Sequence, residues 1–109
     1  MKKLKLLLLA TLMIAGLAQA EPTQVVRGAV QEAVMHQCQD VGIFADYVAL
    51  KRLMGATIQD EMHDVSKLSA LQHQRTVQYV YDHPEVHAPV NVRVYWTCMR
   101  SPTLFGVNT

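Results

Sequence analysis

The stretch VQEAVMHQCQDVGIFADYVALKRLMG, residues 30–55, decides the fold. It holds no proline, and Val30, Val34, Cys38, Val41, Ala45 and Val48 recur at spacings of 4, 4, 3, 4 and 3. That period sets apolar side chains along one face of a helix. Cys38 stands in the middle of the stripe and is therefore expected to point into a core. Lys51 and Arg52 fall in the last turn, where cations complement the carbonyl end of the helix dipole, and Gly55 suits the left-handed residue that closes it. Working towards the N-terminus, Pro22 and Thr23 mark the other end, with Thr23 as N-cap. The sequence thus predicts a long first helix from Gln24 to Met54, with Gly28 and Gly42 as weak points where it bends or divides.

The same helix carries a second apolar row, Ile43, Tyr47, Leu50 and Met54, at spacings of 4, 3 and 4. A helix apolar on two sides has to be covered on two sides. Either later helices wrap around it, or the row is a contact surface for a homodimer or a protein partner. Phe44 lies between the two stripes and serves either arrangement.

Beyond Gly55, Thr57 reads as the N-cap of a second helix, with Asp60 and Glu61 in its first turn and Met62, Val65 and Leu68 as its apolar positions. Ser69 caps a third, from Ala70 to about Asp82, carrying Leu71, Val77, Val80 and Tyr81, and Pro84 sets its limit. The tail has two readings. Val90, Val92, Val94, Trp96 and Cys98 alternate with polar residues and Tyr95, a period of two that favours a strand and a C-terminal hairpin pairing 76–81 with 90–98. Alternatively Pro89 opens a short helix with Val90, Val94 and Cys98 on one side.

Residues 1–20 read as an address rather than as structure. Lys2, Lys3 and Lys5 give a cationic start, Leu6 to Leu17 an apolar run, and Ala18-Gln19-Ala20 the small-x-small pattern that signal peptidase accepts. Cleavage before Glu21 is expected, with delivery to the periplasm, or secretion as the alternative. The apolar run is about a dozen residues, short of the roughly 20 a membrane-spanning helix needs, so no membrane span is expected after cleavage. Taking 20 residues from 109 leaves 89, residues 21–109, one small domain. A chain of that size buries only about 60–65% of its unfolded surface, so a covalent staple matters. Its two cysteines, Cys38 and Cys98, are expected to pair in an oxidising compartment. The bridge would close a loop with 59 residues between its ends, for a chain-entropy contribution of about 4 kcal/mol. Losing three lysines of ten cations leaves seven against nine carboxylates, a net of −2 with neutral histidines. No basic patch survives, and nucleic acid is not an expected partner.

Tyr81-x-x-Pro84, then Pro89, then Tyr95-x-x-Cys98, taken with Cys38 in an alanine- and valine-rich helix and Arg52-x-x-Gly55, resembles a group of small exported proteobacterial proteins of unknown function. The resemblance implies a signal peptide, a long first helix bearing one cysteine and a short final helix bearing the other; it brings no activity. This chain departs from the pattern in a strongly β-branched last segment, which lacks an acidic residue in the turn after Pro89. Size, export and two cysteines are also similar to the HdeA-type acid-stress chaperones of the periplasm, a likeness of category that implies a stress-responsive role.

The remaining constellations carry little chemistry. Five histidines, His36, His63, His73, His83 and His87, could move the net charge from −2 to +3 if all titrated near about 6.5. His83 and His87 with Glu85 are the one candidate loop metal set, although Pro84 breaks the helix that would align them. Ser66, Ser69 and Ser101 lie in no nucleophile-elbow context. Asp60, Glu61 and Asp64 read as a solvated face or dipole complement, and Tyr79, Tyr81, Tyr95 and Trp96 as core, with an aromatic contact patch as the alternative. The expectation is therefore an all-α bundle of three or four helices stapled by Cys38–Cys98. No catalytic residue, cofactor or metal ligand is assigned. The expected role is a non-catalytic binding or structural module, with an acid- or stress-responsive chaperone and a small metal-binding protein as alternatives.

Overall fold

A computed structural model describes residues 2–87 and 89–108, with side chains from residue 28 onward. The side chains of the expected export signal lie outside the described residues. The elements in chain order are α1 (Lys2–Leu53), α2 (Ile58–Met62), α3 (Ala70–Asp82), α4 (Asn91–Arg100) and a 3-10 turn (Pro102–Phe105), with no strand among the described residues. Two compact units divide the chain, Met1–Gln31 and Glu32–Thr109. The second holds the core.

α1 ends at Leu53 and is continuous through Gly28 and Gly42, so neither glycine divides it. Val34, Cys38, Val41, Ala45 and Val48 are buried as their spacing requires, joined by Phe44 and Ala49; Val30, the first member of the stripe, is exposed. Against this face pack Val77 and Val80 from α3, Val94 and Cys98 from α4, and Val86, Val90, Phe105 and Val107 from the connecting and C-terminal segments. Cys38 and Cys98 form a disulfide with Cα atoms 5.5 Å apart, and neither residue has any exposed surface.

Capping at Gly55, Thr57 and Ser69 is as the sequence specifies, whereas Thr23, expected to cap the first helix, lies inside α1, and α4 starts at Asn91 rather than at Pro89. Thr57 and Asp60 form a reciprocal capping box on α2, Ser69 and Gln72 another on α3, each satisfying two backbone donors at a helix start. Gly55 closes α1 with φ of 95°, in the left-handed region where a side chain is strained. α2 is shorter than predicted. Asp64 Oδ1 accepts from the Val65 amide at 2.8 Å and Ser66 Oγ from the Leu68 amide at 3.3 Å, and such local side-chain bonds compete with helix continuation. Val65 is consequently exposed while Leu68 still packs on the core.

The tail is a helix, not a strand. Val90, Val94 and Cys98 are buried while Val92 and Trp96 are exposed, so the apparent alternation resolves into a spacing of four. The hairpin alternative fails at both ends, since 76–81 lies within α3. The acidic residue missing from the first turn of α4 is supplied by α1: Asp46 Oδ1 accepts from the Val90 amide at 2.8 Å. α1 performs the converse service for α3, which has no basic residue in its own last turn. Arg52 Nη1 donates to the carbonyls of Val80 and His83, and Nη2 to that of Val86 at 2.7 Å. Tyr81 Oη adds a bond to the Ala56 carbonyl at 2.5 Å.

At Gly42 the backbone of α4 lies close against α1, because a Cβ there would stand 2.7 Å from the Asn91 carbonyl oxygen. Replacing a helical glycine by alanine ordinarily stabilises by about 0.8–1 kcal/mol. Here the obstructing atom is backbone and cannot swing aside, so overpacking of about 1–3 kcal/mol wins. Gly42→Ala is expected to lower stability in urea unfolding; a rise in the midpoint would show that α4 does not pack this closely.

Candidate functional site

The second apolar row is uncovered. Ile43, Tyr47, Leu50 and Met54 are 65, 43, 48 and 74% exposed along one face of α1 and the turn that closes it, because α2 stops at Met62 and the other elements pack on the Cys38 face. Phe44 is buried and belongs to the core. The row extends one step further towards the N-terminus than its apolar members reveal. Asp40, Ile43, Tyr47, Leu50 and Met54 are spaced 3, 4, 3 and 4, the alternation of a heptad seam. A search for apolar residues alone misses Asp40; following the period through a polar position finds it.

Two clefts flank this row, and both are bordered by Asp40 and Ile43. One, of about 330 Å³, lies between α1 and the segment after α2 and is walled by Phe44, Tyr47, Val65 and Leu68 with Lys67 beside them. The other, of about 440 Å³, lies between α1 and α4 and is lined by Asn91, Val92, Tyr95 and Trp96. Trp96, predicted as core, instead stands exposed in edge contact with Tyr95, their ring centroids 5.1 Å apart. Ile43 is thus a ridge with apolar side chains on either hand.

Tyr47 is held in place from outside the row. Its hydroxyl donates to Asp64 Oδ2 at 2.9 Å, which raises the Tyr47 pKa and, after the Val65 amide, helps to lower that of Asp64. Behind this bond lies a buried polar cluster. His73 Nε2 is 2.7 Å from the Glu61 carbonyl and Nδ1 is 2.7 Å from Ser66 Oγ. A carbonyl only accepts, so Nε2 is the donor there and the Ser66 hydroxyl is free to donate to Nδ1. The His73 ring lies 4.6 Å from Phe44.

The five histidines do not act as one set. His73 is buried in that cluster; His83 spends Nδ1 on the Tyr79 carbonyl at 2.8 Å and stacks on the Tyr79 ring; His36, 3.8 Å from Glu32, is exposed, as are His63 and His87. Among the described residues no group of three His, Cys, Asp or Glu side chains is placed to hold a metal ion. Ser66 is bonded to His73, Ser69 caps α3, and both cysteines are paired.

Glu61, expected on a solvated face, is 1% exposed, and its Oε2 has no hydrogen-bond partner. Burial, and then the charge of Asp64, raise its pKa above 4.5. A carboxyl whose folded pKa lies above its unfolded value holds its proton more tightly in the folded chain. Its contribution to stability is complete below about 4.5 and is lost as pH rises through the folded value. Glu61→Gln, which cannot ionise, is expected to melt close to the parent at pH 4 and above it at pH 7.5. Parallel melting curves at the two pH values, with no gain at the higher one, would contradict this placement of Glu61.

Comparison with protein-family models, curated proteins and solved structures found no match for this chain.

Proposed function

We propose that this chain is an exported, non-catalytic binding module of the periplasm that engages a protein on the exposed face of α1. The observation that carries the reading is the uncovered row Ile43, Tyr47, Leu50 and Met54 between two apolar-walled clefts. A small domain needs its apolar surface for its own core, where each large side chain buried contributes about 1.5–3 kcal/mol. Leaving four on one helix face, with Val65, Val92 and Trp96 close by, is the pattern of a surface that is covered in use. Export is supported by the reading of residues 1–20 and by a disulfide that persists in an oxidising compartment. The likeness to small exported two-cysteine proteins is part of the same proposal, and the helical α4 bearing Cys98 is in keeping with it.

A photoreactive residue at position 50, compared with one at exposed Gln78 on α3, tests the reading in cells. Position 50 is expected to yield a discrete covalent adduct, lost when Ile43→Asp is added, while position 78 yields none. Uncrosslinked chain alone from both positions would remove the proposal. Circular dichroism is expected to show Ile43→Asp folded, since substitution at an exposed position usually shifts stability by no more than about 0.5 kcal/mol.

A further inference from the structure

We infer that the occupant of this face is a second copy of the same chain, packed antiparallel along α1. The inference rests on the reading of the face as a binding surface and names what binds there. The seam Asp40, Ile43, Tyr47, Leu50, Met54 alternates 3 and 4, a mean of 3.5 that keeps a narrow stripe in register with another helix rather than with an extended peptide.

Charges on and beside the seam choose the helix and its direction. Asp40 opens the exposed row, and half-buried Lys51 flanks it next to Leu50; neither makes a salt bridge among the described residues, and within its own chain the Lys51 charge acts on Asp60, Glu61 and Asp64. In a parallel pair each Asp40 would face its own copy, and each Lys51 likewise. In an antiparallel pair with Ile43 opposite Tyr47 of the second copy, Asp40 comes opposite Leu50 and beside Lys51 of that copy. Twofold symmetry makes the same contact twice. The face is therefore complementary to itself in charge.

Its extent is sufficient. The exposed parts of Ile43, Tyr47, Leu50, Met54, Val92 and Trp96 amount at most to about 700 Å², close to the roughly 800 Å² that each partner contributes to a standard interface. Trp96 and Val92 line the cleft beside Ile43, where the flank of the second helix would lie. Tyr47, tied to Asp64 at 2.9 Å, presents its ring already ordered, which lowers the entropy lost on association.

Sedimentation equilibrium on the chain recovered from the periplasm, at 1–100 µM on the order of ordinary transient and stable affinities, tests this directly. A mass twice that of the single chain is expected, falling to one in Ile43→Asp. Asp40→Lys or Lys51→Asp alone is expected to weaken self-association by about tenfold, since two symmetric ion pairs are lost and like charges meet. The double variant Asp40→Lys with Lys51→Asp is expected to recover to within about threefold of the parent. A single-chain mass throughout that range overturns the second copy; if the position 50 adduct then contains another protein, the binding surface itself stands. Self-association that the double variant fails to restore overturns the antiparallel register.

Discussion

The disulfide between Cys38 and Cys98 is the constraint on which the rest of the fold depends. It joins the middle of the apolar stripe on α1 to the last turn of α4 across 60 positions of sequence, with both residues wholly inside the core. Closing so long a loop removes about 4 kcal/mol of chain entropy from the unfolded ensemble. That is comparable with the entire stability expected of so small a domain. α4 has most need of the tie. Its β-branched segment is a poor helix former, and no side chain of its own caps it. Held against α1, it receives Asp46 at its first amide and fits its backbone into the space left by Gly42. α3 is fastened to the same helix by Arg52 at its carbonyl end. One face of α1 thus carries the covalent tie and buried stripe, while Asp46 and Arg52 cap its neighbours.

What the sequence made legible follows from how local each determinant is. The buried stripe from Val34 to Val48, the capping boxes at Thr57 and Ser69, and the Cys38–Cys98 pairing depend on spacing or compartment, and all could be read directly. The tail could not be read so, because its alternation of Val90, Val92, Val94, Trp96 and Cys98 is compatible with two periods. The group that favours helix, Asp46, lies 44 residues from the amide it caps. α2 was overextended for a different reason: Asp64 and Ser66 stop it with side-chain bonds that compete with an otherwise helical apolar spacing. The 3-10 turn at Pro102–Phe105 carried no periodic signal at all, yet it places buried Phe105 against Tyr79, with ring centroids 4.9 Å apart.

The candidate surface was half visible. Ile43, Tyr47, Leu50 and Met54 declared themselves as a second row, but whether later helices cover it depends on where α2 ends and on which side of α1 the other helices lie. Asp40 was hidden by its polarity, and Trp96 by the expectation that a lone tryptophan in a small domain is core. The histidines, conspicuous as a count, divide into a buried bridge at His73, a helix-end contact at His83 and exposed positions at 36, 63 and 87. The titratable group with the more consequential environment is Glu61, which its place in a short amphipathic helix made look like an ordinary solvated carboxylate.

An account in which one face of α1 is spent on a stapled core, and the other left open for a partner, depends first on the staple. The most direct measurement is urea unfolding, followed by far-ultraviolet circular dichroism, of the oxidised protein and of the Cys38→Ala, Cys98→Ala double variant. The variant is expected to lose about 4 kcal/mol, comparable with the roughly 3–5 kcal/mol that so small a core supplies, and to be largely unfolded without denaturant. An unfolding midpoint equal to that of the oxidised protein would contradict the account, because α4 would then be held by packing and the Asp46 cap alone.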